Sequence, residues 1–284
     1  MTATIIETLL RIKPNEMYIK DKLYSKKIAE SRNNYTAPKL KCNVDSYVVD
    51  GMNVYELYGE HEDRVVLYLH GGAYVAQPMI FQWNFATKLA KKVNARVIVP
   101  MYPLAPEYTY KDAFEKVTKL YKNLLEKYGE IIIIGDSAGG GLELALSQYW
   151  QSLGINIPKK IIMLSPWLDI TLTNESISKY ECADPMLTKK DLQDCGGFWA
   201  GDTLTNNPKV SPIYSDIILD TSMYIFVGTR EIFCPDCIDY YAKLKNSKAD
   251  VHLILGVGMN HVYPMYPIPE AHKAFNQIKS IIER

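Results

Sequence analysis

Ile131-Ile132-Ile133-Ile134-Gly135-Asp136-Ser137-Ala138-Gly139-Gly140-Gly141 is the stretch on which the fold turns. An unbroken run of isoleucine reads as a strand buried on both faces. It leads without a linker into glycines, and then into Leu142-Glu143-Leu144-Ala145-Leu146, whose apolar residues continue at helical spacing. A serine flanked by Gly135 and Gly139 between a strand and a helix fits a G-x-S-x-G turn. The glycines permit a tight backbone that lifts the hydroxyl above the sheet, and Gly139 to Gly141 let the helix pack closely. The five letters alone are common; their place between strand and helix favours a nucleophile over a structural turn.

Outward from this turn, short apolar runs alternate with longer amphipathic ones. Strands are predicted over 65–69, 95–100, 131–134, 161–164, 223–227 and 251–255. Helices are predicted over 81–93, 110–128, 140–151, 236–246 and 270–283. Such alternation specifies a mostly parallel sheet covered by helices on both faces, an α/β class, in one domain. Asp50-Gly51 between 47–49 and 54–58 reads as a hairpin that adds an antiparallel edge. Residues 1–38 and 169–211 break the alternation and read as parts of a small helical cap, the alternative being that they shield the sheet's edge.

A neutral serine hydroxyl needs a base. Among the histidines, His61 lies in a charged turn, His70 in a glycine loop, His252 in the last predicted strand and His272 in the final helix. His261, in Gly256-Val257-Gly258-Met259-Asn260-His261 after that strand, remains as the candidate. The acid that orients it is sought on a loop between serine and histidine. Glu231, after Gly228-Thr229-Arg230, fits best; Asp236 has helix capping as its bland explanation, and Asp169 and Asp216 follow far behind. Upstream, His70-Gly71-Gly72-Ala73 ends a strand, a loop suited either to a plain turn or to presenting N–H groups to an oxyanion.

Basic and acidic residues balance at 32 each, so no net field gathers phosphate backbones, and nucleic acid is not an expected partner. No window has the roughly 20 apolar residues of a membrane helix, and no export signal is visible, so a cytoplasmic protein is expected. Five cysteines fit a reducing compartment. Cys234 and Cys237 form a C-x-x-C, but without a second ligand pair it is a weak redox or zinc signal, and neither cofactor nor metal is expected.

Together the motifs resemble those of the bacterial hormone-sensitive-lipase-like esterases, the α/β-hydrolase fold-3 group, from about residue 48 onward. The pieces are His70-Gly71-Gly72-Ala73-Tyr74, Tyr102-Pro103-Leu104-Ala105-Pro106-Glu107, Gly135-Asp136-Ser137-Ala138-Gly139-Gly140, Ser165-Pro166-Trp167-Leu168-Asp169, Asp184-Pro185 and Val227-Gly228-Thr229-Arg230-Glu231. The resemblance implies an eight-stranded sheet with a helical cap, no metal, and hydrolysis of small esters with short to medium acyl chains. Ser137, Glu231 and His261 would form the triad, and Gly72, Ala73 and Ala138 the oxyanion hole. Two departures stand out: the family usually has Asp where Glu231 stands, and commonly a third glycine where Ala73 stands. An amidase or arylformamidase on the same residues, or a non-catalytic ligand receptor, are the other readings, and the oligomeric state is open, a homo-oligomer included.

Overall fold

A computed structural model describes residues 35–59 and 64–284. Eight strands form one sheet: β1 (Asn43–Val49), β2 (Met52–Tyr58), β3 (Arg64–Leu69), β4 (Ala95–Pro100), β5 (Ile132–Asp136), β6 (Lys160–Leu164), β7 (Ser222–Gly228) and β8 (Val251–Gly256). Their order is β1-β2-β4-β3-β5-β6-β7-β8. β1 pairs antiparallel with β2, and β2 with β4, while every other pairing is parallel. The expected hairpin is present, with Val49 opposite Met52. Asp50 and Gly51 both have positive φ, 52° and 73°, the backbone that a two-residue turn of the right twist requires.

The parallel strands bury both faces by simple alternation. Val65, Leu67, Leu69, Ile131, Ile133, Ile161 and Met163 enter one apolar cluster, and Val66, Tyr68, Ile132, Ile134, Ile162 and Leu164 the other. The second face is covered by α1 (Ile80–Lys92) and α7 (Pro269–Glu283), which contribute residues such as Trp83, Phe85, Phe275 and Ile278. The first face is covered by α2 (Tyr110–Tyr128), α3 (Ala138–Ser152) and α6 (Cys234–Asn246). In α2 the buried positions Tyr110, Ala113, Phe114, Val117, Leu120, Tyr121 and Leu124 follow the helical period that the sequence shows.

The segment 169–211 contains α4 (Ile177–Glu181) and α5 (Lys189–Ala200). It is tied firmly to the core: Leu192, Cys195, Trp199 and Ala200 of α5 are buried in the same cluster as Tyr74 and Trp167. The Trp199 ring stacks on Tyr74 at 4.1 Å. The other expected cap element lies mostly outside the described residues, as does His61. Only its end is described, where the Tyr35 hydroxyl donates to the Pro78 carbonyl at 2.6 Å.

β3 lies between β4 and β5. Crossovers therefore leave β3 in one direction and return on its other side, opening a crevice at the carboxyl ends of β3 and β5, where ligands collect in open α/β sheets. Leu69 is in register with Gly135, so the loops starting at His70 and Asp136 begin side by side.

Candidate active site

The chain turns abruptly between β5 and α3. Ser137 has φ 54° and ψ −120°, a sparsely populated backbone for a residue with a side chain. The turn is held on several sides: Ser137 N donates to Leu164 O at 2.9 Å, and Ser137 O accepts from Trp167 N at 2.9 Å and Gly141 N at 3.1 Å. Small residues are compulsory here. A Cβ on Gly139 would meet Leu69 O at 2.0 Å, and one on Gly141 would meet Trp167 O at 2.1 Å. The helix consequently starts at Ala138, two residues before the sequence-based boundary, because it winds directly out of the strained serine.

His261 is brought to this serine from the far end of the chain. Its Nε2 lies 2.9 Å from Ser137 Oγ, and its Nδ1 lies 2.5 Å from Glu231 Oε2. The Glu231 side chain is wholly buried and that of His261 nearly so. Burial pulls the His261 pKa down, but the hydrogen bond and charge of Glu231, with the charges of Asp184 and Asp136, outweigh it and leave the group above its ordinary value. Asp236 is not part of this chain of contacts. It accepts from Asn174 Nδ2 at 3.0 Å, and burial, reinforced by the charge of Asp169, raises its pKa to about 7. Asp169 accepts from Thr171, Ser211 and Tyr214, and Asp216 is fully exposed.

The loop after β3 passes directly in front of the serine. Gly72, Ala73 and Tyr74 have φ of 129°, 53° and 64°. Ala73 therefore occupies a left-handed backbone that glycine would adopt at less cost. Among the described residues, no hydrogen bond uses the N–H of Gly72, Ala73 or Ala138. Asp136 moors this loop: its Oδ1 accepts from Gly71 N at 3.0 Å and from the Tyr68 hydroxyl at 2.5 Å, and its Oδ2 accepts from Gln82 Nε2 at 2.9 Å. His70 is a buttress. Its Nδ1 faces Gly71 O at 2.8 Å, its ring stacks on Tyr102, and burial lowers its pKa to about 4.

Asp184, Trp167 and Tyr74 lie in the quoted motifs, and Phe233 just beyond one of them, without a role assigned from the sequence. Asp184 Oδ2 accepts from Ile232 N at 2.9 Å, tying the segment before α5 to the loop that carries Glu231. Phe233 sits edge-on to His261, with ring centroids 5.2 Å apart, and stacks on Trp167 at 5.7 Å. Trp167 stacks in turn on Tyr74 at 5.5 Å. Cys234 and Cys237 are free, buried thiols at the start of α6, with burial as the leading cause of their raised pKa values. No group of His, Cys, Asp or Glu suited to a metal occurs among the described residues.

Residues 66–265 match the α/β-hydrolase fold family. The chain is 32% identical to an esterase of Acinetobacter venetianus over 221 residues, 76% of this chain and 73% of that protein. It is 32% identical over 186 residues to a triacylglycerol lipase of Mycobacterium tuberculosis, covering 64% of this chain but only 38% of the relative. The crystal structure of a hormone-sensitive lipase from a metagenome library superimposes with a TM-score of 0.88 at 26% identity, covering 99% of this chain and 98% of the other. With the sheet order and the strand–serine–helix turn, these matches show that the chain belongs to the α/β-hydrolase fold family, on its hormone-sensitive-lipase-like esterase branch.

Proposed function

We propose that this carboxylic ester hydrolase acts as a serine esterase on small esters with short to medium acyl chains, through an acyl-enzyme. The observation that carries the reading is the continuous relay Ser137 Oγ–His261–Glu231, placed beside N–H groups that find no acceptor among the described residues. Ser137 attacks the ester carbonyl while His261 Nε2 takes the hydroxyl proton. Glu231 keeps the other proton on Nδ1 and stabilises the imidazolium. The N–H groups of Gly72, Ala73 and Ala138 receive the oxyanion, aided by the positive end of α3. His261 then gives its proton to the departing alcohol; water, activated by the same imidazole, releases the acid.

The pH dependence follows from the electrostatics of the base. His261 works only when deprotonated, so kcat/KM falls as pH drops through its pKa. Because that pKa is raised, the acidic inflection is expected above the ordinary histidine value of 6.5. A kcat/KM profile with a neutral ester measures it directly, and an inflection at or below 6.5 contradicts the charge arrangement described.

Chain-length preference follows from the aromatic rings. Phe233 packs against His261, with Trp167 and Tyr74 stacked behind it, so this side of the imidazole is closed by side chains, which supports a small acyl site. p-Nitrophenyl acetate and butyrate are expected to exceed the laurate and palmitate esters in kcat/KM by at least about tenfold. A rate that climbs through palmitate, or jumps above the micellar limit, marks a lipase instead. Matched amides in the same assay separate esterase from amidase. The segment 169–211, anchored through Trp199 and Asp184, serves in this reading as the cap of the site.

A further inference from the structure

Ser165 touches both loops that carry the partners of Ser137. It directly follows β6 and is fully buried. Its hydroxyl donates to Glu231 Oε1 at 2.8 Å and accepts from Val262 N at 2.9 Å, and Val262 is the residue after His261. Gly228 N donates to the same Oε1 at 2.5 Å. One carboxylate oxygen is thus held by two donors, and the other is left to face His261 Nδ1. Both ends of the bridge sit in costly backbone: Ser165 has φ 50° and Val262, a β-branched residue, has φ 51°. Backbone of this kind persists only where the surroundings over-determine it.

We propose that Ser165 is a positioning residue for the hydrolytic reaction, clamping Glu231 and the His261 loop in one geometry; this rests on the triad reading above. Glutamate has one more rotatable bond than aspartate, and therefore more conformations to exclude when it must aim one oxygen at an imidazole. The Ser165 hydroxyl and the Gly228 N–H exclude them by fixing Oε1. A purely structural Ser165 would serve only the buried Val262 N–H. Glycine would then suit φ 50° better at no cost in catalysis.

The test compares Ser165→Gly and Ser165→Ala, each in the wild-type and in the Glu231→Gln background, with p-nitrophenyl acetate as substrate and Tm as the check on folding. Each single variant is expected to lower kcat about 10- to 100-fold, the scale of a roughly 1 Å misplacement, with KM changed less than about twofold. In the Glu231→Gln background the same substitutions are expected to cost less than about twofold more, because the hydroxyl acts through the carboxylate. Both variants leave the buried Val262 N–H without its acceptor, so Tm is expected to fall by a few degrees, less for Ser165→Gly, which relieves the φ of 50°, and kcat is compared well below every midpoint. A folded variant that keeps kcat within about twofold, or an equal fractional loss in both backgrounds, overturns the proposal. Failure of the triad reading looks different: Glu231→Gln itself would then retain full activity, and this inference would fall with it.

Discussion

Ser137→Ala is expected to reduce ester turnover by at least about 10⁴-fold while leaving the fold intact. The hydroxyl's described hydrogen bond is with His261, so removing it orphans no buried backbone group. The strained turn survives because it is held through the Ser137 backbone, by Leu164, Gly141 and Trp167. Alanine already tolerates a similar positive φ, 53°, at position 73. Tm should therefore change little. Labelling by a serine-directed fluorophosphonate should disappear with the activity. A purified variant that keeps more than about a hundredth of wild-type turnover would remove Ser137 from the nucleophile's role, since a triad knockout leaves far less.

Glu231→Gln should be nearly as severe, with kcat lower by about 10⁴-fold. The amide matches the carboxylate in size but carries no charge to stabilise the imidazolium, and its NH₂ group can present a donor where Nδ1 needs an acceptor. Glu231→Asp restores the charge. One methylene short, it cannot keep both Ser165 and Gly228 on one oxygen and His261 on the other, so a loss of about a hundredfold is expected. Asp236→Asn should stay within a few-fold of wild type, because that carboxyl bonds Asn174 and not the imidazole. Steady-state kinetics on the three variants decides the matter: if Asp236→Asn is the damaging change, Asp236 replaces Glu231 in the mechanism.

Much of this arrangement is written locally in the chain. Isoleucines running into Gly135-Asp136-Ser137 mark a buried strand ending on a tight turn, because few other local conformations accommodate that order. Asp50-Gly51 marks a hairpin for the same kind of reason, the turn demanding positive φ at both residues. His261 could be reached by elimination, since each other histidine lay in a context that explained it. The acid could be narrowed but not closed by spacing alone. Glu231 and Asp236 lie only five residues apart, on either side of the start of α6, and what separates them is direction in space: Glu231 faces His261 and Asp236 faces Asn174.

The sequence alone therefore determined the order of the strands and of the helices that flank the sheet, the strand–serine–helix turn and the class of chemistry, because backbone sterics and apolar period act over neighbouring residues. The tertiary structure decided what depends on segments far apart in the chain. Ser137 meets a histidine 124 positions away, and Ser165 meets Val262 across 97. Asp136 gathers Gly71, Tyr68 and Gln82, and Trp199 of the irregular segment slots against Tyr74. Such contacts follow from strand order and register, which the sheet sets by burying both its faces at once, and no local pattern in the chain encodes that choice.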